Sequence, residues 1–418
     1  SSSGVCSPSR YTILTGRYHW RSRLQRGIVR LWEAPLITPD RLTIGGLAKK
    51  HGYRTACIGK WHLGMKWVDG MPGTEKQLPI GARLIDGPNA LGFDYFYGFT
   101  HARNIGSIIE QDRVVANVKG IENQPLMIGK AVKYIEERSR EKKPFFLYFP
   151  MCPPHSPIVP AAEFAGKSGI PGKEGKYADW VYQGDHMLGQ IMDALKRTGQ
   201  EKNTLLIATG DNGAARRPYP PLREAKSSLY EGGHREPFVA RWPGKINAGS
   251  VNHDVICLND LFATCADIIG DDLPPDAAED SVSILPGLLG KTTGPIREAT
   301  IHQAPAGLAI RQGPWKLVMY RNGNRELYNL KDDISETRDR SKTNREVAGR
   351  LEKLMQSYID RGRSTPGPVQ KNEFELPFGR SAEKKRNKKN KENRPIPFFK
   401  WIYSFIKYFL KTDKNANQ

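Results

Sequence analysis

The sequence predicts an α/β fold: a doubly wound sheet domain followed by a smaller antiparallel sheet and helix. Three observations predict it. The runs Phe145-Phe146-Leu147-Tyr148-Phe149 and Thr204-Leu205-Leu206-Ile207-Ala208 have strand length and run into Pro- or Gly-containing turns, the pattern of buried strands in a parallel sheet. Between them, residues 177–197 carry Val181, Met187, Leu188, Ile191, Met192 and Leu195 at near-helical spacing. Strands alternating with helices of this length argue a doubly wound arrangement.

The texture changes after about residue 295. Leu308-Ala309-Ile310-Arg311, Trp315-Lys316-Leu317-Val318-Met319-Tyr320 and Arg325-Glu326-Leu327-Tyr328-Asn329-Leu330 are strand-like pieces joined by Gly-Pro and Asn-Gly turns, which predicts a small antiparallel sheet. Residues 346–359 read as an amphipathic helix and 363–368, Arg-Ser-Thr-Pro-Gly-Pro, as a linker. The expected domains are therefore an α/β domain over 1–295, an antiparallel-sheet subdomain over 296–362, and a linker with a basic and aromatic tail over 363–418.

The chain has 418 residues, 38% of them hydrophobic, and a formal charge of +20. That is enough apolar material for a buried core, and the charge favours anionic partners without choosing among sulfated glycans, nucleic acid, lipid headgroups and small esters. Part of the excess is the run at 384–391, which has the composition of a solvated tail. No nucleic-acid-binding motif accompanies it, so nucleic acid is not expected as a partner. Cys6, Cys57, Cys152, Cys257 and Cys265 are widely spaced and odd in number, unlike a disulfide framework or paired zinc ligands. No apolar run is long enough to span a membrane. The aromatic segment 395–410 reads as a tail packed on the body or solvated, with weak contact to a membrane surface as the second reading.

The chemistry is concentrated in a few strings. In Cys6-Ser7-Pro8-Ser9-Arg10, followed by Leu14-Thr15-Gly16-Arg17, Ser7 suits an N-cap and Pro8 the first helical position, so a helix is expected immediately after Cys6. Its amide groups and positive dipole end would face an anion at residue 6, with Arg10 one turn along offering a planar donor fork. Lys60 and His62, in Gly59-Lys60-Trp61-His62-Leu63-Gly64, follow the strand-like Thr55-Ala56-Cys57-Ile58; extended chain would put them on one face at a strand's carboxyl end, where α/β sheets bind ligands. His155 stands in the proline-rich loop after the 145–149 run. Asp211 and Asn212 close the 204–208 run and offer hard oxygen ligands of the type calcium takes, unless they form an Asn-Gly hairpin turn. Lys226 precedes Tyr230-Glu231-Gly232-Gly233-His234-Arg235-Glu236-Pro237. Tyr18-His19-Trp20-Arg21-Ser22-Arg23 is a candidate substrate rim.

The first string matches Cys-x-Pro-Ser-Arg-x-x-x-Leu-Thr-Gly at every fixed position, and the chain over residues 1–360 resembles formylglycine-dependent sulfatases of the arylsulfatase and N-acetylgalactosamine-6-sulfatase type, with an alkaline-phosphatase-like fold. Gly-Lys-Trp-His-Leu-Gly and Lys-x-x-x-Tyr-Glu-Gly-Gly-x-Arg-x-Pro carry the same resemblance. It implies that Cys6 is oxidised to formylglycine (3-oxoalanine) by a formylglycine-generating enzyme or an anaerobic maturase. It further implies that Lys60 contacts sulfate, His62 hydrogen-bonds the hydrated aldehyde, His155 faces the scissile ester oxygen and Lys226 binds sulfate and the leaving oxygen. Asp211 and Asn212 become ligands of Ca2+, or of Mg2+. The substrate would be a sulfated carbohydrate or aryl sulfate, and the setting bacterial export to the periplasm or outside the cell.

In that family an upstream strand ends in an Asp-Asp pair that completes the metal site. No such strand precedes Ser1, so the expectation is that the 418-residue chain is by itself short of metal ligands, inactive and poorly folded, whereas a full-length parent is active. Two other readings stand beside this one: a phosphonate or phosphodiester hydrolase of the same superfamily, and a non-catalytic polyanion-binding protein.

Overall fold

A computed structural model describes residues 1–70, 77–374 and 376 of the chain. The basic run at 384–391 and the aromatic segment 395–410 lie outside the described residues.

The central sheet has five strands in the order Arg113–Asn117, Ser107–Glu110, Tyr95–Phe99, Arg54–Lys60, Phe145–Tyr148. Arg54–Lys60 runs parallel to both of its neighbours, whereas the two outer strands 107–110 and 113–117 turn back antiparallel. The sheet is thus mixed, with a parallel middle. Alternation divides its side chains between two cores. Cys57 and Phe96 face one side and join Tyr11, Leu14, Trp61 and Phe93. Ala56, Ile58 and Tyr97 face the other, beneath the helices Gly120–Arg140 and Gly172–Arg197. The expected 177–197 helix is therefore present and begins five residues earlier. Its buried face runs through Trp180, Gln183, Met187, Ile191, Ala194 and Leu195, which leaves Val181 45% exposed on the opposite side.

Two expectations about the strands are corrected. Leu206–Thr209 does not join the central sheet but pairs antiparallel with Phe238–Arg241. Both it and Phe145–Tyr148 are half-buried rather than buried, because among the described residues each has a partner strand on one side only.

The later part of the chain forms the antiparallel sheet that the turn signals predict, with Thr300–Ala304 as an added edge strand before Gly307–Gln312, Trp315–Tyr320 and Arg325–Asn329. Helix Arg345–Asp360 follows, burying Ala348, Leu351, Met355, Tyr358 and Ile359 at helical spacing. Residues 1–374 form one compact unit that includes this sheet. The stretch expected as a linker lies against the body: Ser364 N donates to Asp280 and Thr365 Oγ1 to the Glu279 carbonyl.

The Tyr18 to Arg23 string does not form a rim. Tyr18, His19, Trp20, Arg21 and Ser22 are all buried, and Arg21 donates from Nε and Nη2 to the two oxygens of Asp280 at 2.9 and 2.8 Å. The aromatic rings of this segment flank the Arg21 guanidinium, with Trp20 4.2 Å away. A buried charge pair of this kind is worth little against an apolar replacement of both partners, but removal of one leaves the other uncompensated. Asp280→Ala is therefore expected to cost about 3–5 kcal/mol, read as a large drop in Tm. The exposed Arg83–Asp112 pair supplies the contrast: Arg83→Ala should leave Tm nearly unchanged.

Candidate active site

Parallel strands deliver their carboxyl ends to one edge, and here three of them do so. Arg54–Lys60 ends in Lys60, Tyr95–Phe99 leads into Thr100 and His101, and Phe145–Tyr148 leads into the loop that carries His155. The crossing between the first and third is tight. Gly59 has φ +129°, and a Cβ there would lie 2.4 Å from the Pro150 carbonyl oxygen, which accepts the Lys60 amide at 2.9 Å. Only glycine fits that approach.

The signature helix spans Cys6–Thr15 and starts at Cys6 itself, with Val5 extended before it. Ser7 is not its N-cap. It sits inside the first turn, and its hydroxyl accepts instead from the Val29 amide at 3.1 Å. The serine that tightens the helix entry is Ser9, whose Oγ is 3.0 Å from the Val5 carbonyl. Arg10 does lie on the side of Cys6, and its guanidinium ties three segments together. Nε and Nη2 each reach Asp211 Oδ2 at 3.0 Å, and Nη1 donates to the Lys60 carbonyl at 2.8 Å.

Four of the expected residues converge on residue 6, which carries a thiol here, its Sγ standing where the nucleophilic oxygen of a modified side chain would be. Lys226 Nζ is 3.5 Å from Sγ, and His155 is hydrogen-bonded to it. Burial pushes the thiol up, but Lys60, the His155 hydrogen bond and Lys226 together outweigh burial and the opposing Asp211 charge, bringing it down to about 6. Lys60 is 1% exposed, and burial pulls its ammonium below the ordinary lysine range. Asp211 is held below the ordinary carboxylate range: burial raises it, and Arg10, Lys60 and Lys226 overcome that. His155 Nδ1 is 2.5 Å from the Ser156 carbonyl and so carries hydrogen, which leaves Nε2 to exchange a proton at residue 6.

His62 is placed differently from the expectation of simple strand alternation. It lies beyond the strand with φ +60°, a left-handed conformation that costs a β-carbon-bearing residue on the order of 1–3 kcal/mol. The Thr100 carbonyl fixes it by accepting its amide at 2.7 Å. Its ring is buried, meets the ring of His101 edge-on at 4.2 Å, and stays neutral: burial first, then Lys60, His101, Arg10 and His155, push it well below the ordinary histidine range.

Lys226 owes its position to close backbone approaches. The amide of Ser227 donates to the Gly4 carbonyl at 2.8 Å, two residues before Cys6, and a Cβ on Gly233 would lie 2.3 Å from the Ser228 oxygen. The Glu231 carboxylate behind it is buried and ion-paired to Lys316 at 3.0 Å, and Lys316 in turn to Glu336 at 2.8 Å, which bolts this loop to the antiparallel sheet.

A family model for sulfatases matches residues 1–270. The chain belongs to the sulfatase family. It is 28% identical over 448 residues to an N-acetylgalactosamine-6-O-sulfatase of Bacteroides thetaiotaomicron, covering 86% of this chain and 85% of that one. It is 29% identical over 325 residues to the N-acetylgalactosamine-6-sulfatase of Rattus norvegicus, where 69% of this chain spans 57% of the relative's length. A solved structure from work on glycosaminoglycan metabolism by Bacteroides thetaiotaomicron superposes with a TM-score of 0.76 at 27% identity, covering 85% of this chain and 90% of that one.

Sequence reasoning missed two groups at this sulfatase-family site. His101 is an isolated histidine after an aromatic strand, with no string to flag it. Glu236, at a variable position of the Gly-Gly string, has one buried oxygen without a partner and is raised to about 7, chiefly by burial.

As for calcium, Asn212 Oδ1 is buried without a partner while Nδ2 donates to the Gly213 carbonyl, so a hard oxygen donor is available beside the Asp211 carboxylate. These two fit the chemistry of a calcium ligand, but they supply only part of a shell. Among the described residues no group of three or more His, Cys, Asp or Glu side chains is placed to hold a metal ion.

The charge field around residue 6 can be read directly in the unmodified protein. The thiolate absorbance lost in Cys6→Ser should titrate near pH 6, the thiolate being present above that value. In Lys60→Met the midpoint should move upward, since the Lys60 cation that favours the thiolate is gone while burial remains.

Proposed function

We propose that this protein removes sulfate from a sulfated glycan or aryl sulfate, using a formylglycine made from Cys6. The observation that carries the proposal is the convergence on Cys6, at the start of a helix, of the Lys226 ammonium and the His155 imidazole, with Lys60 and Arg10 behind them. A helix N-terminus with three cations is the environment a sulfate group and its developing charge require. Formylglycine, once formed and hydrated, supplies an oxygen nucleophile that carries a second hydroxyl for releasing sulfate.

The chain's own residues do the rest. Lys60, Lys226 and Arg10 bind the sulfate oxygens and oppose charge moving onto the leaving group. His155, with Nδ1 committed to Ser156, delivers a proton from Nε2 to the departing oxygen, assisted by Lys226. His62 takes a proton from residue 6. Asp211 and Asn212 would hold the cation, Ca2+ or Mg2+, whose charge favours ionisation at residue 6. A sulfated carbohydrate substrate, maturation by a formylglycine-generating enzyme or anaerobic maturase, and bacterial export belong to the same proposal. The family of the relatives and the basic charge of the chain support it.

The test uses the natural gene product, expressed with a maturation enzyme. Peptide mass spectrometry should show a loss of about 18 Da at Cys6, the change from thiol to aldehyde. Cys6→Ala should abolish turnover with an unchanged circular dichroism spectrum. His155→Ala should lower kcat/KM by about 10²–10⁴-fold on a sugar sulfate, whose alkoxide needs a proton, and by less on a nitrophenyl sulfate. Turnover retained in Cys6→Ala, or faster hydrolysis of a phosphate diester than of any sulfate ester, overturns the proposal.

A further inference from the structure

The two ring nitrogens of His62 are not equivalent. Nε2 lies 3.1 Å from the Val29 carbonyl oxygen, and a carbonyl can only accept, so Nε2 carries the hydrogen. Nδ1 is then the lone-pair nitrogen, and it is buried with no partner. A buried acceptor without a donor is costly, and where one persists beside a reactive group it is a candidate for proton transfer. The charges of Lys60 and Arg10 bear on the ring and oppose its protonation at rest.

The tautomer thus depends on where the Val29 carbonyl sits. Val29 belongs to no helix or strand, so no ladder of hydrogen bonds fixes its peptide groups. Its amide is held by the buried hydroxyl of Ser7 at 3.1 Å, on the residue that follows Cys6. The result is a continuous path from Ser7 Oγ through the Val29 N–H and C=O to His62 Nε2. The His62 backbone is held separately, its amide donating to the Thr100 carbonyl, and the ring meets the edge of His101.

We propose that Ser7 is a positioning residue: acting through the Val29 backbone, it holds His62 as the Nε2–H tautomer, so that Nδ1 keeps its lone pair to accept a proton from a hydroxyl at residue 6. This rests on the sulfatase reading for its chemical purpose, but the tautomer itself belongs to the resting protein. The hydrogen bond that one imidazole nitrogen makes commonly decides which nitrogen acts.

Selective ¹⁵N labelling of histidine side chains reads the arrangement without turnover, with His62→Gln assigning the signals. In the natural gene product His62 should show a protonated Nε2 and an unprotonated Nδ1. In Ser7→Ala the two nitrogens should average toward a mixture of tautomers, and Ser7→Thr should restore the wild-type pattern. On an aryl sulfate, kcat of the matured Ser7→Ala enzyme should fall roughly tenfold with KM within about twofold, and Ser7→Thr should recover it. A protonated Nδ1 in the wild type overturns the proposal with no substitution needed. So does a Ser7→Ala protein whose Tm and kcat fall while the His62 nitrogens stay unchanged, since that is a packing effect. Absence of turnover in the wild type would end the sulfatase reading and leave the tautomer result standing.

Discussion

The Arg10 guanidinium is the junction on which the site is built. It is almost fully buried, and its hydrogen bonds run to the end of one strand through the Lys60 carbonyl and to the turn after another through Asp211, 201 residues away. Because a guanidinium is planar and always charged, this fork fixes directions as well as distances. The signature helix, the Lys60 strand end and the Asp211-Asn212 turn are thereby placed with respect to one another before any substrate arrives. Burial of such a cation is tolerable only because Asp211 answers it.

Around that junction the structure concentrates like charges. Lys60, Arg10 and Lys226 lie within one electrostatic neighbourhood, and Asp211 is the one carboxylate firmly held among them. Desolvation and repulsion lower the Lys60 ammonium and keep the His62 imidazole neutral, while attraction to Lys60 and Lys226 lowers the Cys6 thiol against its burial. A site so charged is poorly adapted to folding and well adapted to an anion. The rest of the unit holds it in place through buried pairs such as Arg21–Asp280, Arg297–Asp260 and the Glu231–Lys316–Glu336 triad.

The chemistry of this site was legible because its residues sit in compact strings. Cys6 with Arg10, Lys60 with His62, and Lys226 before Tyr-Glu-Gly-Gly each combine a reactive group with the glycine, proline or helix start that positions it. The second sheet was legible from its turns. What was not legible depends on contacts distant in sequence. Ser7 has the identity of a cap, yet its hydroxyl is taken by a loop 22 residues on. Trp20 and Arg21 look like a ligand rim and are core, because Asp280 lies opposite them. The 206–209 strand reads like any buried strand, and only its pairing with 238–241 removes it from the central sheet. His101 carries no local signal, since its significance is the edge of another imidazole.

The segment just before Cys6 is bound on both sides by late parts of the chain. Ser3 forms a bridge with Gln303, and Gly4 donates to the Gln303 carbonyl and accepts from Ser227. During synthesis from the N-terminus, residue 6 therefore emerges long before the strands that enclose it. At about 5–20 residues per second, the roughly 300 intervening residues take about 15–60 s to appear. For that interval Cys6 is an open thiol on an unfinished chain; afterwards it is 2% exposed behind Lys226. Any enzyme that alters this cysteine thus competes against the closing of the fold, and the order of synthesis gives it a head start.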